Sequence, residues 1–575
     1  MILKETHDKK LILFEPENIK ERKFLDEKFP GLIREGLQFY CPNKAKVVQS
    51  LYTRIRREKK QIKYTPYIKE VIESSPKLSP LPTTFKYHTQ PLPFQDIALR
   101  YLYFVGSAGL LLEPGLGKTK VILDFIWLMK FKKSLVVCPK SLLFVWEEEN
   151  KKHRPELKIY IVKTTDYQEE KKGILDADLI IINYDKAISL EGSLIEVGFD
   201  FIGLDEGLIK NHTTERTRSI NKLSKRIPHR VIMSGTLVNN GPEDVFAPIR
   251  FIEPALIGER ITQFKKRYGI VAKGENKFIV GYLDIPEIKS ILQSCSIVMR
   301  KEEWLPYLPK KEFIKCYVQL SDKQRTYYQQ LTSNWLLIDK EENFELEVEN
   351  QLTAMIKLTQ ISNGFLYYQE NIQEVLGDMF GESLPETKKQ TKFFNEQPKV
   401  DRLLSLLGNE LAGKRSLVWF NMKAELEILE KALVEKGITY LVIAGKEKNI
   451  GEKVNRFNND ASIRLLLCQA KSVNYGITLL GRARTQEDDD IGIPFEPKVS
   501  DEIFYSLNFS LEVFLQQQDR IHRIGQTETC RYYMILANTS MEKRIAESLE
   551  AKLACNQEML VDISKTTKLL DLENL

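Results

Sequence analysis

The sequence predicts an α/β protein built around two doubly wound parallel-sheet lobes, with a mostly helical insertion between them and a small α+β domain at the N-terminal end. Three observations predict it. Short apolar runs bounded by turn residues recur in two separate series, and segments of helical spacing fill the gaps within each series. The length of 575 residues also exceeds what one core holds, because single hydrophobic cores stop growing at roughly 250 to 300 residues.

The first series is AGLLL at 108–112, SLVVC at 134–138, DLIII at 178–182, FIGL at 201–204 and RVIM at 230–233. Such unbroken runs suit parallel strands covered on both faces, whereas a strand with one wet face would alternate. Between them lie stretches such as KTKVILDFIWLMKF from Lys118, and this alternation of strand and helix is the pattern of a doubly wound sheet. The second series is SLVWF at 416–420, TYLVIA at 439–444, RLLLC at 464–468, EIFYSL at 502–507 and YYMILA at 532–537. The lobes are therefore placed at residues 81–255 and 396–555. Residues 256–395, with helical passages such as SDKQRTYYQQLTSNWLLI, read as a mostly helical insertion and linker. Residues 1–80 read as an accessory domain: a strand LILF at 11–14, a helix IKERKFLDEKF, a turn at Pro30 and Gly31, a strand LQFY and another helix. Pro80, Pro82, Pro91 and Pro93 punctuate the passage into the first lobe, and residues 556–575 form a C-terminal tail.

Composition narrows the class. With 43% hydrophobic and 29% charged residues the chain can bury sizeable cores, so disorder is excluded as the default. The 85 Lys+Arg against 79 Asp+Glu leave a formal charge of +6, too small a surplus over this length to mark a nucleic-acid binder by itself. The N-terminal MILKETHDKKLILF lacks the apolar core of a signal peptide, and no run approaches a membrane span, which predicts an intracellular protein without a membrane partner. Seven scattered cysteines, with no C-x-x-C pair, predict a reduced compartment and no structural zinc.

Ligands of open α/β sheets bind beyond the carboxyl ends of the strands, so the chemistry is sought in the residues after each apolar run. AGLLL is followed by EPGLGKT at 113–119. Gly115 and Gly117 permit a tight turn that aims backbone N–H groups at phosphate oxygens, at the start of a helix whose dipole favours an anion. Lys118 would reach the β and γ phosphates, and the Thr119 hydroxyl would bind Mg²⁺. A plain strand–turn–helix remains the other reading, since Leu112 stands where the strict P-loop pattern has Gly. FIGL ends in Asp205 and Glu206; Asp205 suits a metal ligand and Glu206 a base for the attacking water, the alternative being that Asp205 merely caps a helix. RVIM runs into Ser234, Gly235 and Thr236, a polar turn suited to sensing the γ-phosphate or touching nucleic acid. In QQQDRIHRIGQ at 516–526, Arg520 and Arg523 are three apart, so they are expected on one helix face. Arginines entering a phosphate site contribute roughly 10³ to 10⁵ in rate, although the same segment alone could be an exposed basic helix end.

Taken in order, these motifs resemble the SWI/SNF-like ATP-dependent DNA translocases of helicase superfamily two, over about four fifths of the chain from residue 85 to 555. DRIHRIGQ is highly specific to that family. The resemblance implies two RecA-like lobes, ATP and Mg²⁺ as cofactors, and Gln95 of PLPFQ as the adenine-reading glutamine. It also implies that VVCPKSLLFVWEEE, with Lys140 and Ser141, contacts DNA. Asn183, Thr236, Asn421 of SLVWFN, and Gly476 of Tyr475-Gly476-Ile477-Thr478-Leu479 would join it along the nucleic-acid backbone. Departures are equally plain: the acidic motif reads DEGLIKN without the usual His, Leu237 replaces a Pro, and an insertion carrying Glu487, Asp488, Asp489 and Asp490 interrupts the second lobe. The N-terminal unit weakly resembles the HARP-type module of annealing helicases. Arg54, Arg56, Arg57, Lys59, Lys60 and Lys63 either hold phosphates there or form a solvated helix face.

The expectation that follows is a nucleic-acid-dependent ATPase acting on duplex or branched DNA without sequence preference, as a monomer, with ATP on the first lobe and the two arginines arriving when the lobes close. Repair, recombination or replication in the cytoplasm or nucleoid of a bacterium, or in a virus-infected cell, is the expected setting. Two other readings stay open: a strand-separating DNA or RNA helicase, and a DNA-binding scaffold whose hydrolysis is uncoupled.

Overall fold

In the computed structural model the residues described are 2–6, 11–16, 21–22, 25, 32–35, 38–42, 48, 51–52, 63–66, 68–69 and 78, and then everything from 80 onward except 207–208, 210–213, 236, 239–240, 259, 272–278, 340–343, 349, 369–389, 446–449, 471, 473–478, 480–498 and 573–575. The chain divides into two compact units, residues 1–306 with 552–575, and residues 307–551.

The first unit is built on seven strands: β1 (Ala108–Leu112), β2 (Ser134–Cys138), β3 (Ile159–Ile161), β4 (Leu179–Asn183), β5 (Phe201–Asp205), β6 (His229–Met233) and β7 (Ser296–Met299). They pair in parallel in the order β7-β1-β6-β5-β2-β4-β3. Every residue of β1, β2, β4 and β5 is buried, as continuous apolar runs require. All five strands expected from the first series are present. The two that were not expected are the three-residue, half-buried edge strand β3 and β7, a four-residue strand inside the stretch read as helical. That stretch also holds two long helices, Asp322–Asn334 and Gln351–Ser362, along with short antiparallel hairpins.

Ahead of this sheet lies a five-stranded sheet in the order 33–35, 38–42, 11–15, 2–5, 63–64, antiparallel except for its last pair. Ile12 and Phe14 point into the core and their neighbours do not, the alternation of a strand with one buried face. Arg54, Arg56, Arg57, Lys59 and Lys60 lie outside the described residues, and Lys63 is exposed on the edge strand.

The second unit has six parallel strands: β8 (Lys311–Val318), β9 (Arg415–Phe420), β10 (Tyr440–Ile443), β11 (Leu465–Gln469), β12 (Val499–Phe504) and β13 (Cys530–Ala537), in the order β8-β13-β12-β9-β11-β10. The predicted pair of doubly wound parallel sheets is thus the observed fold. β12 begins three residues earlier than EIFYSL suggests, because Asp501 is held in the sheet by Arg531 of β13 at 2.7 Å. β8 escaped the reading since, at a sheet edge, only Cys316 of its eight residues is buried. Among the described residues no helix is long and apolar enough to cross a membrane.

Candidate nucleotide and nucleic-acid site

The carboxyl end of β1 turns through Glu113–Gly117 into the helix Lys118–Met129. Gly115 and Gly117 sit at φ 88° and 76°, in the left-handed region that glycine enters without penalty. Gly117 also has no room for a side chain, since a Cβ there would meet Gln95 Nε2 at 2.3 Å. Gln95 is buried at the start of the helix Pro93–Val105, with its amide oxygen accepting from Leu92 N–H (3.0 Å) and its amide nitrogen donating to Leu116 O (3.1 Å). The glutamine is therefore locked directly against the phosphate-loop candidate.

Lys118 Nζ donates to Leu112 O at 3.2 Å and lies 3.8 Å from Glu206 Oε1. Thr119 follows it, half-buried, in the first turn of the helix. Asp205 closes β5 with one oxygen accepting from Trp146 Nε1 (2.9 Å) and the other from Glu206 N–H (3.0 Å). Burial pushes its carboxyl pKa up, and the Lys118 charge and the indole hydrogen bond pull against that shift. Glu206 has φ 55° although it is not glycine. A left-handed, buried, charged residue at a strand tip stores about 1–3 kcal/mol of strain, a cost met mainly at functional positions. Gly235, after β6, packs so closely that a Cβ would lie 2.5 Å from Pro114 Cδ, so this turn rests directly on the loop. In the first unit the fold thus gathers Gln95, Gly115, Gly117, Lys118, Thr119, Asp205 and Glu206 at the carboxyl ends of β1 and β5. Thr119 and Asp205 offer hard oxygen donors, the chemistry that suits Mg²⁺. Among the described residues there is no group of three or more His, Cys, Asp or Glu that could hold a metal ion.

The roles of two residues in this cluster were not read from the sequence. Trp146, fully buried in the helix Leu143–His153, orients Asp205, and Tyr184 Oη donates to the Asp205 carbonyl at 3.0 Å. A lone tryptophan beside the run EEEN was the available signal.

The expected nucleic-acid contacts are placed unequally. Lys140 and Ser141 are exposed just past the end of β2. Asn183 is buried, and its side-chain oxygen caps the next helix by accepting from Lys186 N–H at 2.9 Å. Asn421, past β9, is half-buried in an amide network: it donates to Ser506 Oγ (2.8 Å), accepts from Asn508 (2.9 Å), and its backbone N–H meets the buried Glu425 carboxylate (2.7 Å). Thr236, Gly476 and the insertion with Glu487 to Asp490 lie outside the described residues, as do Lys210 and Asn211.

The arginine segment corrects one expectation. The helix Leu511–Gln518 ends before it, so Arg520 and Arg523 lie in a turn rather than on one helix face. Arg520 is buried with Nε donating to Gln516 O (2.8 Å), a last-turn carbonyl that the ending helix leaves open to such a donor. Arg523 is half-buried. Much of the segment is held as scaffold: His522 Nε2 lies 2.9 Å from Pro309 O, and Gln526 donates to Val499 O at 3.0 Å.

Comparison with known proteins adds the following. The family described as SNF2-related domain matches residues 44–365, more than half of the chain. The TATA-binding protein-associated factor MOT1 of Saccharomyces cerevisiae is 25% identical over 453 residues, covering 72% of this chain and 23% of that protein. The ISWI chromatin-remodeling complex ATPase ISW1 of the same yeast is 24% identical, covering 80% of this chain and 39% of the relative. The Sulfolobus solfataricus SWI2/SNF2 ATPase core in complex with dsDNA aligns with a TM-score of 0.39 at 20% identity, over 85% of this chain and 97% of that one. The chain spans about a quarter of the length of the MOT1 proteins it matches. These relatives also correct the expected setting: MOT1 proteins of budding yeast, fission yeast and Aspergillus fumigatus belong to eukaryotes, and they overturn the assignment to a bacterial cytoplasm or nucleoid.

Proposed function

The chain belongs to the SNF2-related domain family, within the helicase-like ATPases of superfamily two, and on that premise we propose that it is an ATP-driven motor that moves along duplex or branched DNA. Its work would be to remodel protein–DNA complexes or DNA structures, in repair, recombination or replication. The observation that carries the proposal is the cluster at the ends of β1 and β5, where Lys118 lies 3.8 Å from Glu206 and Asp205 is held by Trp146.

The roles follow from the chemistry of each group. Gln95 reads the adenine edge, and the backbone N–H groups of the Gly115–Gly117 turn with Lys118 bind the phosphates. Thr119 and Asp205 would hold Mg²⁺, which would supply charge neutralisation to the phosphates. Glu206 orients water and takes its proton. Arg520 and Arg523 are the arginines for the charge of phosphoryl transfer; Arg523 is half-buried, whereas Arg520 is buried with its Nε donating to Gln516 O. Lys140, Ser141, Asn183, Thr236, Asn421 and Gly476 would contact the DNA backbone, and among the described ones Lys140 and Ser141 are exposed. Contacts of this kind read the backbone, so binding is expected to be sequence-independent, salt-sensitive and achieved by a single copy.

The test is the steady-state ATPase rate without nucleic acid and with single-stranded, duplex and forked DNA and RNA, beside Lys118→Ala and Arg523→Ala. Duplex or fork stimulation that both variants lose, by about 10³-fold for Arg523→Ala, is the expected result. DNA binding with no turnover under any condition would replace the motor by a scaffold, a reading favoured by the missing His of the acidic motif.

A further inference from the structure

We infer that Lys120, Asp124 and Arg154 are positioning residues for the base end of the nucleotide site: together they clamp residues 85–90 onto the helix that follows the phosphate loop, and so fix where Gln95 meets the nucleobase. The inference rests on the reading of Gln95 as the base-binding residue. Lys118 and Lys120 are two apart in the helix Lys118–Met129, and residues at that spacing do not share a face. Lys118 turns toward Leu112 O and Glu206. Lys120 turns away from them, its ammonium donating to Thr89 O and to Asp124 Oδ2, both at 2.9 Å. The other oxygen of Asp124 accepts from Arg154 Nε at 2.6 Å, and Arg154 Nη1 reaches on to Lys86 O at 3.0 Å. The Arg154 guanidinium also sits 5.0 Å from the Phe85 ring.

All three side chains are almost wholly inside the protein, at 4%, 2% and 1% exposure for Lys120, Asp124 and Arg154. Two cations and one anion leave an unbalanced positive charge in the core, and Arg154 Nη2 has no hydrogen-bond partner among the described residues. Such a set is a poor way to gain stability, since an apolar trio of similar volume generally does as well or better. What it achieves geometrically is to hold two carbonyls of one short segment, those of Lys86 and Thr89. That segment leads within three residues to Leu92, whose N–H holds the Gln95 amide oxygen at 3.0 Å, while Gln95 Nε2 is fixed on Leu116 O. A third tether, from Tyr87 Oη to Asp96 Oδ1 at 2.5 Å, ties the segment to the helix that carries Gln95. The base-reading amide is therefore held from one side by the phosphate loop and from the other by a segment that the buried charges lock.

The experiment measures binding of fluorescent mant-ADP, and ATPase kinetics with ATP and GTP, for the full chain and for Arg154→Lys, Gln95→Ala and the double variant. Arg154→Lys keeps the charge but not the guanidinium fork. It should weaken mant-ADP binding and raise KM for ATP about tenfold with kcat unchanged, and it should erode the preference for ATP over GTP. If the clamp acts through Gln95, the double variant should be no worse than the poorer single variant. A lower melting temperature with unchanged nucleotide affinity and unchanged base preference would make the triad merely structural and overturn the inference. Independent, multiplying effects of the two substitutions would overturn it too. Should Arg154→Lys fail to fold, Tyr87→Phe removes the third tether from a half-buried position and should give the same pattern at smaller size. Failure of the unaltered chain to bind any adenine nucleotide would remove the functional reading itself, whereas tight binding of ATP and GTP alike would sink this inference alone.

Discussion

Asp205 in the first sheet and Glu502 in the second are both buried carboxylates that accept a hydrogen bond from a tryptophan, Trp146 Nε1 at 2.9 Å and Trp419 Nε1 at 3.0 Å. Burial raises the pKa of both and nearby cations oppose the shift in both, but their positions and remaining hydrogen bonds differ. Asp205 ends its strand, has both oxygens engaged, faces the Lys118 charge and is followed by the left-handed Glu206. Glu502 sits inside β12 with one oxygen lacking any hydrogen-bond partner among the described residues, and burial pushes its pKa well up, against the pull of Trp419, Arg520 and Lys311. A carboxylate at a strand tip can hand its charge to a ligand, while one in mid-strand can only be neutralised by a proton or by neighbouring cations. On the proposed reading, the contrast would let one hydrogen-bonding device serve chemistry in the first unit and internal packing in the second.

The comparison can be broken most directly at the carboxylates. Asp205→Asn is expected to lower the DNA-stimulated ATPase rate by about 10² to 10³-fold, and Glu502→Gln to leave it near that of the unaltered protein. Equal losses in steady-state assays would erase the distinction. A smaller effect is expected at the tryptophans. Trp146→Phe deletes the N–H that orients Asp205 and should cost about tenfold in rate. Trp419→Phe should spare the rate but remove about 1–3 kcal/mol of stability in urea melts, because Glu502 then loses its donor.

The smallest effect concerns pH. A carboxyl whose folded-state pKa lies above its unfolded value stabilises the fold below the ordinary carboxyl range and loses that contribution as pH rises through the folded value. The stability of the unaltered protein should therefore decline as pH climbs above that range, and Glu502→Gln should flatten the decline. Urea melts that fall in parallel for both proteins across the pH series would show that Glu502 is not the titrating group.

Particular elements show what could be read in advance. AGLLL, SLVVC and FIGL announced buried strands because parallel sheets covered on both faces leave no polar positions to confuse the pattern. β8 and β3 were hidden for the opposite reason: these two edge strands are partly wet, so their residues look like loop or helix. The glycines and Lys118 were legible because a phosphate loop needs a fixed local spacing. The roles of Trp146, Tyr184 and the Lys120–Asp124–Arg154 triad were not, since each acts on a residue at least one element away in sequence. The arginines were found but set on the wrong local structure, because QQQDRIHRIGQ has helical spacing well past the point where the helix stops.

The sequence by itself determined the strand–helix alternation, the two sheets and the residue types at the ends of β1 and β5, all of which rest on local periodicity and short motifs. Only the tertiary structure decided which partner each charge meets. Lys118 and Lys120 are two residues apart and alike on paper, yet one faces the strand-tip carboxylates and the other is sealed against Thr89 and Asp124. Burial and the direction of each side chain from its helix set that difference, and neither is a local property of the chain.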